Sequence, residues 1–223
     1  MRLKRLLAGA LLLAVTLTGC QTNAKVYEVP EAGHVFTDEE LLDMFGGQFQ
    51  MTKDADTFAE MLAQCPVVLS GTVSAKTPVG GKQPFTYVEI QVDAVYKGEA
   101  EDVIYTGGLG FPVPQEQVED LTARYPDEPL DKLNCSPMTY VPEGTRILLF
   151  TKRNASKDSP TGAVYPVWGL YQGVYGLAED GALSSLVQKN QRDNLTVFVA
   201  EDLLTNYGTL EKVQALIAQQ ADS

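Results

Sequence analysis

From Thr86 to Lys97 the chain alternates. Thr86, Val88, Ile90, Val92, Ala94 and Tyr96 fall on one side, and Tyr87, Glu89, Gln91, Asp93, Val95 and Lys97 on the other. A period of two puts successive side chains on opposite faces of a strand, here with one face buried and the other mostly wet. A shorter, β-branched run from Val67 to Ala75 precedes it. After the turn "YKGEAED", Val103 to Thr106 predicts a third strand. Pro142-Glu143-Gly144 places proline where a turn favours it and leads into the apolar "TRILLFTK", a fourth. The Gly-rich "VYPVWGLYQGVYGLAEDGALSSL" predicts a fifth strand and a hairpin closing on Glu179-Asp180-Gly181.

Helical spacing flanks these strands. Thr37 and Glu40 have capping-box spacing, Leu41, Leu42, Met44 and Phe45 follow, and Gly46-Gly47 stops the helix. Thr57 and Glu60 repeat the box for a helix to Gln64, which Pro66 ends. The segment 107–140 between strands three and four is a long insertion, the kind of place where function often sits. It holds a predicted helix from Pro114 to Tyr125, with proline suited to the first turn. Its opening "TGGLGF" has no Lys-Ser/Thr after the glycines and predicts a turn or bulge rather than a phosphate cradle. At the C-terminus Glu201 to Thr205 and Leu210 to Gln220 are helical around a break at Asn206-Tyr207-Gly208, with Leu210, Val213, Leu216 and Ile217 on one apolar face.

The order of these pieces is distinctive: "CPVVLSGTVSA", then "TYVEIQVDAVYKGEAEDVIYT", then "EGTRILLFTKR". It resembles the netrin-like, tissue-inhibitor-of-metalloproteinase-like module, an OB-type β-barrel, over roughly Cys65 to Leu177. The resemblance implies a five-stranded OB-like barrel; with the helices read from spacing, the expectation is a mainly β chain with flanking helices, the barrel over 65–187, N-terminal helices over 37–64, the insertion at 107–140 and C-terminal helices over 200–221. A closed barrel would remove the strand edges that otherwise invite aggregation. The animal inhibitors of that family chelate a protease's zinc with a free amino-terminal cysteine. Here Cys65 lies behind a tether and two helices, so the fold is carried over and metalloproteinase inhibition is not.

The start of the chain sets its compartment. Arg2, Lys4 and Arg5 precede an apolar stretch from Leu6 to Leu17, about a dozen residues, the layout of a signal peptide and too short to span a bilayer comfortably. The stretch ends in Leu17-Thr18-Gly19-Cys20, which resembles the lipobox of bacterial lipoproteins. That resemblance implies cleavage of residues 1–19 and a diacylglyceryl thioether on Cys20, with further acylation giving a lasting anchor. Residues 20–36 then serve as the lipidated cysteine and a polar tether, and 37–223 as one domain.

Charge narrows the partners. The full chain carries 17 basic and 29 acidic residues, a net of −12. Loss of residues 1–19 removes three basic residues and leaves a net of −15. Such a balance argues against nucleic acid, which needs a basic footprint, and against docking the folded body on anionic headgroups.

Candidate chemistry is sparse. A cysteine nucleophile would need a histidine, and the sole one, His34, sits in the expected tether. One histidine and two body cysteines without close spacing give no zinc pattern, and the acidic runs lack the alternation of a calcium loop. No cofactor or metal is expected. With Cys20 lipidated, Cys65 and Cys135 form an even pair in an oxidising space, so a bridge pinning the insertion to the barrel competes with two separate thiols. Tyr165, Trp168, Tyr171 and Tyr175 form either a stacking surface for sugars or bases or part of the barrel wall. The expectation is a lipid-anchored, non-enzymatic binding module for a protein or envelope polymer. The alternatives are an envelope hydrolase with a carboxylate site near 107–140 and, by fold analogy, an extracellular protease inhibitor.

Overall fold

A computed structural model of the chain describes residues 25–45, 55, 57–125, 137–139, 141–157, 159–169, 172–186 and 201–222. Its organising element is β1, Val67–Val79, which pairs antiparallel with two strands at once. On one side lies β2, Phe85–Lys97, which in turn pairs with β3, Val103–Leu109. On the other lies β4, Arg146–Thr151, followed by β7, Val174–Leu177, and β8, Leu183–Ser185. The result is a six-stranded antiparallel sheet in the order β3-β2-β1-β4-β7-β8. Two short strands, β5 at Asn154–Ala155 and β6 at Ala163–Val164, pair separately. The chain is thus mainly β with flanking helices.

The alternation read in β2 is present: Thr86, Val88 and Ile90 are buried, and Gln91, Asp93 and Val95 are exposed. In β4 the pattern is different, and five successive residues from Ile147 to Thr151 are buried. Both faces of β4 are covered, which is why its sequence is continuously apolar rather than alternating. Leu148 and Phe150 face a cluster with Phe58, Leu62, Tyr175 and Val213, under the helices. Ile147 and Leu149 face a second cluster with Leu69, Ile90, Ile104 and Tyr165 on the opposite side.

The first two helices begin where their capping boxes predict, and the third begins one residue later than predicted, at Gln115 with Pro114 just outside it. Helix α1 is Asp38–Phe45; Thr37 N donates to Glu40 Oε2 at 2.8 Å and Glu40 N to Thr37 Oγ1 at 3.3 Å. Helix α2, Phe58–Gln64, has the full capping box of Thr57 and Glu60. Helix α3 is Gln115–Arg124, and α4 is Leu210–Ala221 with Thr209 as N-cap. Before α4 the break takes the form of a π-helical turn, Leu203–Tyr207.

Three expectations are corrected. Eight strands in two sheets occur among the described residues, not five, because the segment from 154 to 185 divides into four short pieces. The run "TGGLG" is not a turn: β3 continues through Gly107 and Gly108, paired with Tyr87 and Thr86. Glycine is used at 107 because the Phe85 ring lies over it, and a Cβ there would collide with Phe85 Cζ. Nor is 20–36 a tether throughout. Tyr27 N donates to Gly81 O at 2.6 Å, and Gly81 N to Tyr27 O at 2.7 Å. Phe36 is buried with Leu41, Phe111, Val113 and Leu121 in a third cluster. Residues 20–24, the stop at Gly46-Gly47 and 126–136 of the insertion lie outside the described residues.

Candidate functional site

The two ends of β1 carry different chemistry, and 13 residues at about 3.3 Å each set them up to roughly 40 Å apart. At the Val79 end, the 25–36 segment folds against the β1–β2 turn and α1. An open cleft of about 320 Å³ forms there, lined by Val26, Val29, Pro30, Phe36 and Phe111 together with Lys25, Tyr27, Glu28, His34 and Glu40. His34 Nε2 lies 3.4 Å from Glu40 Oε1, and the imidazole stands edge-on to Phe36 at 4.6 Å between centroids. The Thr37 amide and hydroxyl hold the Glu40 carboxyl below its ordinary range. Val26, Val29 and Val35 are 68, 50 and 72% exposed.

At the Val67 end, the β2–β3 turn meets the loop after β4. Gly98 turns at φ 74°, where glycine is the residue without steric cost. Glu101 accepts from Arg153 Nε at 3.0 Å and from the Tyr165 hydroxyl. The Tyr165 hydrogen bond holds the Glu101 carboxyl down, and burial, then Glu101, push the Tyr165 phenol up to about 12. Lys152 Nζ sits 5.6 Å from the Trp168 ring centroid, and Trp168 N donates to Phe150 O at 2.8 Å. Lys152, Arg153 and Lys157 are exposed here.

A third polar group lies on β2 itself. Glu89 accepts from Ser74 Oγ at 2.7 Å, Tyr105 Oη at 2.8 Å and Gln91 Nε2 at 3.4 Å. These donors lower its carboxyl, Ser74 most.

The aromatic residues singled out from the sequence do not share a surface. Tyr165 and Tyr175 are 0 and 1% exposed and face opposite clusters. Trp168 is half-buried against the Tyr175 cluster, and Tyr171 lies outside the described residues. Because both faces of the sheet are covered, Tyr175 is buried on one side of it and Tyr165 on the other. Cys65 is a fully buried free thiol, its Sγ donating to Val67 O at 3.2 Å and Thr151 O at 3.4 Å. Burial pushes that thiol up, away from nucleophilic chemistry. Cys135 and Cys20 lie outside the described residues. In the described part of the insertion, Asp120 pairs with Arg124 at 2.8 Å within α3, and Arg124 also binds Asp38, which ties α3 to α1.

Sequence reasoning missed the 25–36 segment as part of the body. The available signal was Val26, Tyr27 and Val29, apolar residues in what otherwise reads as a linker. Among the described residues, no group of three or more His, Cys, Asp or Glu is arranged to hold a metal ion. No described helix is long and apolar enough to cross a membrane. No protein-family model matches the chain, and no curated protein matches it.

Proposed function

We propose that the chain is an exported bacterial lipoprotein, anchored by acylated Cys20, whose body is a non-enzymatic binding module for a protein or an envelope polymer. The body is an OB-like barrel in this reading. Tyr165 N donates to Tyr105 O at 2.7 Å on the β3 edge, and Val167 bridges Thr151 on β4. The 163–168 segment therefore runs from the sheet's β3 edge to β4, over the cluster that contains Tyr165. Register shifts at three places along β1 supply the bend that such closure needs.

The observation that carries the functional reading is the Tyr27–Gly81 backbone pair. It joins the chain, seven residues after Cys20, to the β1–β2 turn. The opposite end, with Lys152, Arg153, Lys157 and the Trp168 edge, then faces away from the membrane and is the surface offered to a partner. Basic residues are few in this acidic chain, and these three lie within six positions.

Radiolabelled palmitate tests the anchor: Cys20→Ala abolishes its incorporation and releases the protein from the membrane fraction. The detergent-solubilised lipoprotein, immobilised and exposed to envelope extract, tests the surface. Charge reversal at Lys152 and Lys157 weakens retention of the partner, whereas Lys82→Glu at the β1–β2 turn leaves it unchanged. Equal loss from both changes would sink the assignment of the outward end.

A further inference from the structure

Six large apolar side chains are exposed by 38% or more among the described residues, and four of them gather at one end of the molecule. Val26, Val29 and Val35 belong to the segment after the lipobox; Val79, 40% exposed, closes β1 beside it. Backbone contacts hold the 26–29 stretch beside Val79, and Val35 follows in the same segment. Tyr27 pairs with Gly81, and Gly80 packs so closely on 27–29 that a Cβ there would fall 2.6 Å from Tyr27 O. Single exposed valines are ordinary, but a set gathered at one end of the molecule marks an interaction surface.

We infer that the face carrying Val26, Val29, Val35 and Val79 lies on the bilayer that holds the lipid of Cys20. The contact presupposes that lipid, proposed above. Lys25 is five positions after Cys20, and a fully extended chain gains at most 3.3–3.6 Å per residue, so the face starts no more than about 18 Å from the anchor. The neighbouring charges decide the headgroup. Glu28, Glu31, Glu39 and Glu40 outnumber Lys25 and Lys82, so the face suits neutral, zwitterionic headgroups and is repelled by anionic ones. Valine side chains at the headgroup boundary, with charges at their rim, are the arrangement of a peripheral contact rather than a span. The anchor and the face together would fix the orientation of the body, with the Trp168 end outward.

The chain has one tryptophan, Trp168, at the far end of β1. It serves as an internal reference for depth. The full lipidated protein and its Val29→Trp and Val79→Trp variants are reconstituted on phosphatidylcholine vesicles whose acyl chains carry bromine, which quenches indole at contact. Both replaced positions are exposed, so the fold tolerates them; urea midpoints verify this. The expected result is that all three proteins float with the vesicles, wild-type emission is unchanged by bromine, and the emission added at 29 and 79 is largely lost. Flotation with the added emission intact overturns the inference while leaving the anchor standing, and marks the face as free for a protein partner. Flotation with Trp168 quenched as strongly as the added residues overturns it too, because the body then has no fixed orientation. Failure to float overturns the anchor and the inference with it.

Discussion

Gly71 in β1 lies so close to Gln91 in β2 that a Cβ placed on it would fall 2.5 Å from the Gln91 carbonyl oxygen and 2.6 Å from Ile90 Cγ2. The pairing register shifts between Ser70 and Gly71 at this point. A shifted register brings two backbones together where only a hydrogen fits, and a strand glycine often marks such an approach. Gly71→Ala therefore lowers stability by about 2 kcal/mol, within the range for overpacking a core. Gly33, in an open turn at φ 82° with nothing within 4 Å, loses less when changed to alanine, about 1 kcal/mol of backbone strain. Urea midpoints of the two variants measure the difference.

Asp202 caps a helix that is remote in sequence. Phe58 N donates to Asp202 Oδ2 at 2.8 Å across 144 positions, and Asn206 Nδ2 donates to Asp202 Oδ1 at 2.6 Å. Asp202→Ala leaves a first-turn amide of α2 without its carboxylate and costs about 1–2 kcal/mol. Asp202→Asn costs less, since its single amide oxygen still accepts from the Phe58 amide, while the charge and the acceptor for Asn206 Nδ2 are lost. Thermal melts of wild type, Asp202→Asn and Asp202→Ala fall in that order, the alanine variant lowest.

Glu89 makes stability depend on acid. Its carboxyl is held below its ordinary range by Ser74, Tyr105 and Gln91. A carboxyl lowered in the folded state contributes stability that is present above its unfolded value, near pH 4.3, and lost as pH falls through the folded value. Glu89→Gln consequently flattens the acid limb of stability below about pH 4, while near-neutral stability drops only by the weakened hydrogen bonds. Melting temperature against pH, with Tyr105→Phe as a second probe of the same carboxyl, is the measurement.

Cys65 resists modification until the protein unfolds. Its thiol is fully buried and donates to Val67 O and Thr151 O. Iodoacetamide without reductant leaves Cys65 unmodified in the native protein and adds one group to it in denaturant. No addition in denaturant would instead report a bridge to Cys135. The pH dependence has the opposite sign to that of Glu89. Burial raises the folded thiol, so its contribution is complete below the ordinary thiol value and declines as pH rises above it. Cys65→Ala removes that decline in the alkaline limb of the same pH series.

The long strand β2, the capping boxes at Thr57 and Thr37, the stop at Pro66 and the hairpin at Gly181 were all legible as local patterns. Each depends on residues at most a few positions apart: alternation at period two, a hydroxyl three residues before a glutamate, a ring that forbids the next turn of helix. The continuation of β3 through Gly107 was not, because its cause is the Phe85 ring, 22 positions away. The aromatic segment was ambiguous for a similar reason. Tyr165 and Tyr175 have the composition of a stacking surface, and only the covering of both sheet faces buries them.

Read in order, the residues already carry most element types, the acidic balance and the lipobox-like Leu17-Thr18-Gly19-Cys20. These are properties of spacing and side-chain chemistry. Folding adds what no local pattern contains: β1 stands between β2 and β4, Asp202 caps α2, and Tyr27 pairs with Gly81. The β1–β4, Phe58–Asp202 and Tyr27–Gly81 partners are separated by tens of residues or more, and hydrogen bonding and close packing choose among them only after the chain has folded back. The 25–36 segment shows the distinction most plainly. Its composition is that of a linker, yet two backbone hydrogen bonds and the burial of Phe36 make it part of the body.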